Sequence, residues 1–405
     1  MSTHRFRSAL AALALACAAD ACAQPPAEPL TLDTHVDIPF AYMQEPRFDV
    51  GRDTPLQVDL GKMRRGGLDA AFFVVWVPQG PLTADGYAKA VAQAQQKYDG
   101  IAHMLAKYPD RIRLATTPAQ VEAHHHRGLL SAMIGVENAY SLGHELKNLN
   151  AAYAHGARYV GLVHVGHNDL CTSSMPQADL GDPPVSDAGI SAFGRAVVQR
   201  ANALGMMIDV SHASDACVRD VLALSRAPVI ASHSDARALT DHPRNLPDDL
   251  LRAIAARGGV IQAVAYKGFI KLDPARELAE KALQAQVARQ SGHKAYDDER
   301  DGYTPAMAAG MAEIQKHYPL PTLDDFVAQI RHMVDVAGID HVGIASDFDG
   351  GGGITGWMDA GETRNVTAAL RRYGFSDADI AKLWSGNLLR VWREVERDAD
   401  RGAAR

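Results

Sequence analysis

The chain has 405 residues, more than an average domain but within the range of one α/β barrel with insertions. Hydrophobic residues make up 47% of it and charged residues 22%, which excludes global disorder and permits a large buried core. The formal net charge of −7 excludes the basic surface on which nucleic-acid binding depends. We therefore expect a globular protein without a nucleic-acid partner.

Residues 1–23 are typical of a signal peptide. Two arginines precede a short apolar run, and Ala21-Cys22-Ala23 offers the small residues that a signal peptidase cuts. The apolar run is too short for a membrane span, so we expect no span and a periplasmic or secreted chain that begins near Gln24. Lipoprotein processing at Cys17 or Cys22 is less favoured, because neither cysteine has Leu or Val three residues before it.

Cleavage leaves two cysteines, Cys171 and Cys217. A disulfide between them can form if the protein is exported to an oxidising compartment, but the sequence does not indicate one. Cys217 lies in a helical pattern, where a cysteine is more often a small buried hydrophobic residue.

Beyond residue 30, short apolar runs alternate with amphipathic segments, the pattern of βα units in a parallel sheet. Nearly continuous apolar runs predict strands that are buried on both faces. We predict one (β/α)8 TIM-like barrel over residues 24–397, with the eight strands Leu30–Thr34, Ala70–Val77, Leu130–Val136, Tyr159–His164, Met206–Val210, Val229–Ser232, Gly259–Ala265 and His341–Ser346.

Two regions depart from this alternation. Residues 267–320 form an insertion between the seventh and eighth strands, with helical patterns over Pro274–Gln290 and Pro305–His317, and we expect a flap beside the site. Residues 362–397 predict a helical tail in which Ser376 starts a helix. Residues 398–405 predict a frayed end.

Polar side chains lie at the carboxyl ends of six predicted strands. Catalytic residues of (β/α)8 barrels lie at this rim, so their common position predicts one site. These residues are His35 and Asp37 after the first strand, Glu137 after the third, His164 at the end of the fourth, His212 after the fifth, His233 after the sixth and Asp347 after the eighth.

Imidazoles and carboxylates are ligands that suit zinc. His35 and Asp37 are alternate residues of an extended segment, so both point the same way and can hold one ion. His212 and His233, from adjacent strands, can hold a second, and the two oxygens of Glu137 can bridge the pair. We expect two zinc ions about 3.5–4 Å apart that share a hydroxide nucleophile.

The remaining rim residues predict the rest of the chemistry. His164 is expected to stabilise the oxyanion, and Asp347 to carry a proton from the water to the leaving amine. Asp349 lies in a glycine-rich turn, and we expect it to stabilise the loop rather than to take part in catalysis. Consecutive histidines 124–126 point in different directions on a helix and predict a solvated helix end. His167, in the loop after the fourth strand, is a weaker candidate for the site.

Five segments, taken in order, resemble the renal (membrane) dipeptidase family of the amidohydrolase superfamily, over about residues 31–396. They are Asp33–Asp37, Ile134–Asn138, Ile208–His212, Ser232–Arg237 and Arg244–Asp249. The resemblance implies the same five metal ligands, a contact of His164 with the scissile carbonyl, and Asp347 as proton shuttle.

The resemblance also implies a substrate-binding role for Arg244, which would pair with the substrate carboxylate through two parallel hydrogen bonds. Tyr266, at the end of the seventh strand, is expected to assist. One departure concerns the residue after the bridging glutamate: many family members have glycines there, whereas this chain has Asn138. The loop after His164 and the long insertion resemble those of bacterial members.

The leading hypothesis is zinc-dependent hydrolysis of L,L- and L,D-dipeptides, with a homodimer as the expected assembly. An N-acyl amino acid hydrolase or a deaminase on the same fold is the first alternative. A periplasmic metal-binding protein without catalysis is the second. Metal content and activity on substrates without a free amine discriminate among these functions.

Overall fold

The computed structural model describes residues 28–183 and 188–403. The predicted signal peptide and its cleavage site lie outside the described residues. Within the described ranges, no helix combines the length and the apolar composition that crossing a membrane requires.

Parallel strands form one sheet that closes into a barrel. The described residues contain nine strands: β1 (Leu32–Val36), β2 (Ala70–Trp76), β3 (Ile112–Leu114), β4 (Leu130–Glu137), β5 (Ala157–Gly161), β6 (Met207–Asp209), β7 (Ile230–Ala231), β8 (Val260–Val264) and β9 (Val342–Ala345). Their order is β1-β2-β4-β5-β6-β7-β8-β9, and a parallel bridge between Val36 and Phe348 joins the last strand to the first. The (β/α)8 prediction is confirmed. β3, which pairs with the start of β4, is an additional short strand that we did not predict.

Helices follow the strands and surround the barrel. The described α-helices are α1 (Leu60–Gly66), α2 (Ala84–Lys107), α3 (Pro118–His126), α4 (Leu146–Ala154), α5 (Ala192–Leu204), α6 (Asp215–Leu224), α7 (Asp248–Ala256), α8 (Lys267–Ile270), α9 (Pro274–Gln290), α10 (Pro305–His317), α11 (Leu323–Ala337), α12 (Thr363–Arg372), α13 (Asp377–Ala381) and α14 (Asn387–Ala403). Side-chain caps set several starts: Ser376 and Asp379 form a capping box at α13, as expected of Ser376. α14 continues to Ala403, within residues 398–405, for which a frayed end remains a prediction.

Three strand ends differ from the prediction in ways that affect the site. His35 lies within β1, and Glu137 is the last residue of β4, so both belong to strands rather than to the loops after them. β5 ends at Gly161, which places His164 in the following loop. Pairing with neighbouring strands, which the apolar pattern does not report, decides where each strand ends.

A packed core fills the barrel. Phe72, Tyr159 and other inward-facing strand residues form one apolar cluster with Leu388 and Trp392 of α14. The rings of Phe72 and Trp392 are 5.8 Å apart. The interior is therefore solid, and the polar residues gather at the other end of the strands.

The insertion packs against the rim. Its two long helices, α9 and α10, have the predicted bounds, and a π-helical turn at Asp298–Gly302 lies between them. The carboxylate of Glu299 accepts hydrogen bonds from the backbone N–H groups of Phe40 (2.8 Å) and Ala41 (2.5 Å). Tyr303 donates to Asp349 Oδ1 (3.4 Å). The insertion thus contacts the loops after β1 and β9.

A disulfide joins Cys171 and Cys217, whose Cα atoms are 6.1 Å apart. It connects the loop after β5 to α6. Cys217 is buried, as expected, but it is bonded to Cys171, a pairing that the sequence allowed without indicating it. The neighbouring backbone is joined as well, since Ser214 N donates to Thr172 O (2.8 Å). The two cysteines meet only through this tertiary contact, which their spacing in the sequence does not reveal.

Candidate metal centre

Glu137 lies between two groups of imidazoles at the carboxyl ends of the strands. Its Oε2 is 3.3 Å from His35 Nε2. Its Oε1 is 3.0 Å from His212 Nε2 and 3.5 Å from His233 Nε2. The two oxygens of one carboxylate therefore face different nitrogen ligands.

Two further carboxylates lie beside His35. Asp37 Oδ2 is 3.5 Å and Asp347 Oδ1 is 4.0 Å from His35 Nε2, and these three residues form one potential ligand group. His164 Nε2 is 4.0 Å from Glu137 Oε1. All seven rim residues named from the sequence are thus brought together.

The donor atoms fit divalent metal ions. His35 Nε2 and Glu137 Oε1 are buried and have no hydrogen-bond partner among the described residues. The Nε2 atoms of His212 and His233 face each other at 2.9 Å. Buried polar atoms without partners are unfavourable, and cations placed among these nitrogens and oxygens would satisfy them. Nitrogen and carboxylate oxygen are the donor set of zinc sites.

Electrostatics distinguishes the residues of the centre. Burial holds the pKa of His212 and His233 well below its usual value, which keeps both imidazoles neutral and able to ligate. Burial raises the pKa of Asp347 well above its usual value, and the charges of Asp37 and Glu137 raise it further. A carboxyl group of this kind can hold and release a proton.

Hydrogen bonds behind the imidazoles orient their rings. Tyr159 Oη donates to Thr34 O and lies 3.2 Å from His35 Nδ1. Because a phenol has a single proton, it accepts from Nδ1, so the lone pair of His35 is on Nε2. Sequence reasoning missed Tyr159, since a tyrosine in an apolar strand gives no signal of this role.

Left-handed backbone is concentrated at the centre. His212 has φ 66°, Asp347 has φ 58° and Asn138 has φ 62°. Residues other than glycine adopt this region rarely, and asparagine more readily than most. Asparagine therefore suits this position, as glycine would. Its side chain also bonds Val77 O (3.1 Å) and accepts from Asn168 Nδ2 (3.1 Å), which joins the loops after β2, β4 and β5.

Gly350 allows the two carboxylates beside His35 to approach. A Cβ at this position would lie 2.3 Å from Asp37 Oδ2 and 2.5 Å from Asp347 Oδ1. Any larger residue would displace both groups.

Arg244 is buried beside the centre, with 2% of its surface exposed. An arginine before a helix start is commonly a surface residue, but the fold buries this one. Its guanidinium is 5.4 Å from the ring of Phe269, on which Tyr266 also stacks at 4.2 Å. Burial lowers the pKa of Arg244 to about 10 and raises that of Tyr266 to about 12, so the first stays charged and the second neutral at pH 7.

Other polar residues that the sequence singled out lie outside the centre. Asp349 accepts from the backbone N–H groups of Gln57 (2.9 Å) and Val58 (3.2 Å), a structural role as expected. His167 Nδ1 accepts from Ser173 N. The prediction of a solvated helix end is wrong for His124, which is buried and lies 3.1 Å from Ser131 Oγ.

Known proteins resemble this chain over nearly its whole length. The family model of membrane dipeptidases (peptidase family M19) matches residues 27–405. A probable dipeptidase, PvdM, from Pseudomonas aeruginosa has a solved structure with a TM-score of 0.79 at 34% identity, covering 91% of this chain and 96% of that one. Dipeptidase verJ from Clonostachys rogersoniana is 29% identical over 380 residues, which are 90% of this chain and 84% of the relative.

Dipeptidase aclJ from Aspergillus oryzae is also 29% identical, over 85% of this chain and 71% of its own length. The match of the family model spans all of the described residues and therefore includes every residue of the centre. The chain belongs to the membrane dipeptidase family, peptidase family M19, and is a metal-dependent peptide-bond hydrolase.

Proposed function

We propose that this enzyme hydrolyses L,L- and L,D-dipeptides and uses two zinc ions, which His35, Asp37, Glu137, His212 and His233 hold. One observation carries the proposal: each oxygen of Glu137 faces a different group of ligands. When bound, the two ions supply an activated water as the nucleophile at neutral pH.

The side chains around the centre account for the remaining steps. Arg244 binds the free carboxylate of the substrate and thereby orients the peptide bond. His164 donates a hydrogen bond to the scissile carbonyl oxygen as negative charge develops there. Asp347 takes the proton that the water loses and delivers it to the leaving amine. The raised pKa of Asp347 suits a group that must hold this proton between the two steps.

The compartment is part of the proposal. We place the enzyme in the periplasm or outside the cell, and the Cys171–Cys217 disulfide supports an oxidising environment. The full chain, including residues 1–27, is expressed, and mass spectrometry of the N-terminus of the mature protein tests the proposed export. A start near Gln24 agrees with it, an acylated Cys17 or Cys22 indicates a lipoprotein, and an uncleaved chain contradicts it.

The direct test is a panel of L,L- and L,D-dipeptides assayed on a sample whose zinc content is measured. We expect two zinc ions per chain and hydrolysis of dipeptides in both series. The matched controls are N-acetylated and C-amidated forms of the best dipeptide. Faster cleavage of the acetylated form would support the N-acyl amino acid hydrolase instead. Absence of dipeptide hydrolysis at full zinc loading would contradict the proposed function.

A further inference from the structure

Two neutral oxygens, rather than an acid, hold Arg244. Its Nη1 donates to Ser234 Oγ (2.7 Å), and its Nη2 donates to the backbone oxygen of His233 (2.6 Å). These bonds use two of the five guanidinium N–H groups. The Nε atom is buried and has no hydrogen-bond partner among the described residues. The arginine is therefore oriented, yet it keeps donors for a carboxylate ligand.

Ser234 is one end of a row of three buried hydroxyls. Its Oγ is 3.4 Å from Ser211 Oγ, which in turn is 3.4 Å from Ser232 Oγ. Ser211 Oγ also accepts from the backbone N–H of His233 (3.1 Å). None of the three serines is more than 2% exposed, so solvent does not compete for these bonds. We call Ser211, Ser232 and Ser234 the serine row.

The other end of the serine row orients His233. Ser232 Oγ donates to Asp209 Oδ2 at 2.6 Å and lies 2.8 Å from His233 Nδ1. Because a hydroxyl has a single proton, Ser232 accepts from Nδ1–H. The lone pair of His233 is then on Nε2, the atom that faces Glu137.

We propose that the serine row positions Arg244 and His233 relative to each other, and so fixes the distance between the carboxylate-binding group and the metal centre. This inference rests on the proposed dipeptidase function. In a dipeptide, one residue separates the carboxylate from the scissile carbonyl. The serine row thereby contributes to the selection of dipeptides.

The test separates the two ends. We expect Ser234→Ala to raise KM about tenfold, the size of a lost hydrogen bond to a charged group, with kcat little changed. The preference of this variant for a dipeptide over the same dipeptide with a C-terminal amide should fall by a similar factor. Its zinc content should equal that of the wild-type enzyme. Ser232→Ala should weaken zinc binding about 10- to 100-fold in competition with a chelator, measured without substrate.

Two controls separate positioning from general loss of packing. Ser225, directly after α6, has an equally buried hydroxyl, which donates to Ala227 O. Ser225→Ala should change neither KM nor the affinity for zinc. In an Arg244→Met background, Ser234→Ala should have no further effect on kcat/KM, because it acts through the arginine.

The inference is overturned if Ser234→Ala lowers kcat at constant KM, or if Ser232→Ala binds zinc like Ser225→Ala. If dipeptides are cleaved and the variants behave like Ser225→Ala, the inference alone fails. If the zinc-loaded wild-type enzyme cleaves no dipeptide, the proposed function fails. The zinc competition of Ser232→Ala then still decides the part of the inference that concerns His233.

Discussion

Glu137 is the residue on which the proposed dinuclear centre depends, because its two oxygens have separate neighbours. Glu137→Gln keeps the volume but removes the charge and one oxygen. We expect the zinc content to fall by at least one ion per chain. Activity should fall by more than the roughly 10- to 100-fold effect of residues that only orient ligands. Zinc analysis and initial rates check this, with the exposed Glu313→Gln on α10 as control. Wild-type zinc content in Glu137→Gln would contradict the bridging role.

Asn138 combines a left-handed backbone with hydrogen bonds to two neighbouring loops. Asn138→Gly relieves the backbone strain but loses the bonds, whereas Asn138→Ala loses the bonds and keeps the strain. We therefore expect the alanine variant to have a free energy of unfolding about 1 kcal/mol below that of the glycine variant. Urea unfolding of both variants under the same zinc concentration measures the difference. Equal stabilities would show that the backbone conformation at this position is unimportant.

At the scale of the elements, Glu299 connects the insertion to the loop that carries Asp37. Its carboxylate accepts hydrogen bonds from the backbone N–H groups of Phe40 and Ala41. We expect Glu299→Ala to raise KM and to accelerate proteolysis within residues 291–304, because two bonds to a charged acceptor are lost. Limited proteolysis and steady-state kinetics test this. Glu313→Ala, which removes an exposed carboxylate from the same insertion, should leave both unchanged. Equal behaviour of the two variants would contradict the connection.

The disulfide stabilises the loop after β5 against α6. It closes a loop of 46 residues, for which chain entropy predicts a stabilisation of about 4 kcal/mol. We expect a reductant to lower the free energy of unfolding by up to this amount. It should have no effect on a Cys171→Ser/Cys217→Ser variant. Denaturant unfolding with and without reductant gives the comparison, and equal stability of the wild-type protein under both conditions would contradict it.

For the molecule as a whole, the order of the elements could be predicted from the sequence because the apolar runs are regular. The polar residues at their ends follow from the same regularity, since all strands of a parallel barrel end at one rim. His35, Glu137 and His212 therefore converge although they are far apart in the chain. Strand ends were less predictable, as His164 shows, because pairing with neighbours decides them.

What the sequence could not give depends on contacts between distant segments. The burial of Arg244 requires the fold of the loop after β7 and the approach of Phe269 from the insertion. The bond of Cys171 to Cys217 requires the loop after β5 to meet α6. Tyr159 reaches His35 across the barrel. None of these contacts leaves a periodic or local pattern in the chain.

The central claim is that Glu137 bridges two metal ions. Anomalous X-ray scattering at the zinc absorption edge, from crystals of the zinc-loaded enzyme, tests it most directly. We predict two peaks of comparable height, one beside His35 and Asp37 and the other beside His212 and His233, with Glu137 between them. A single peak, or two peaks that Glu137 does not separate, would contradict the account.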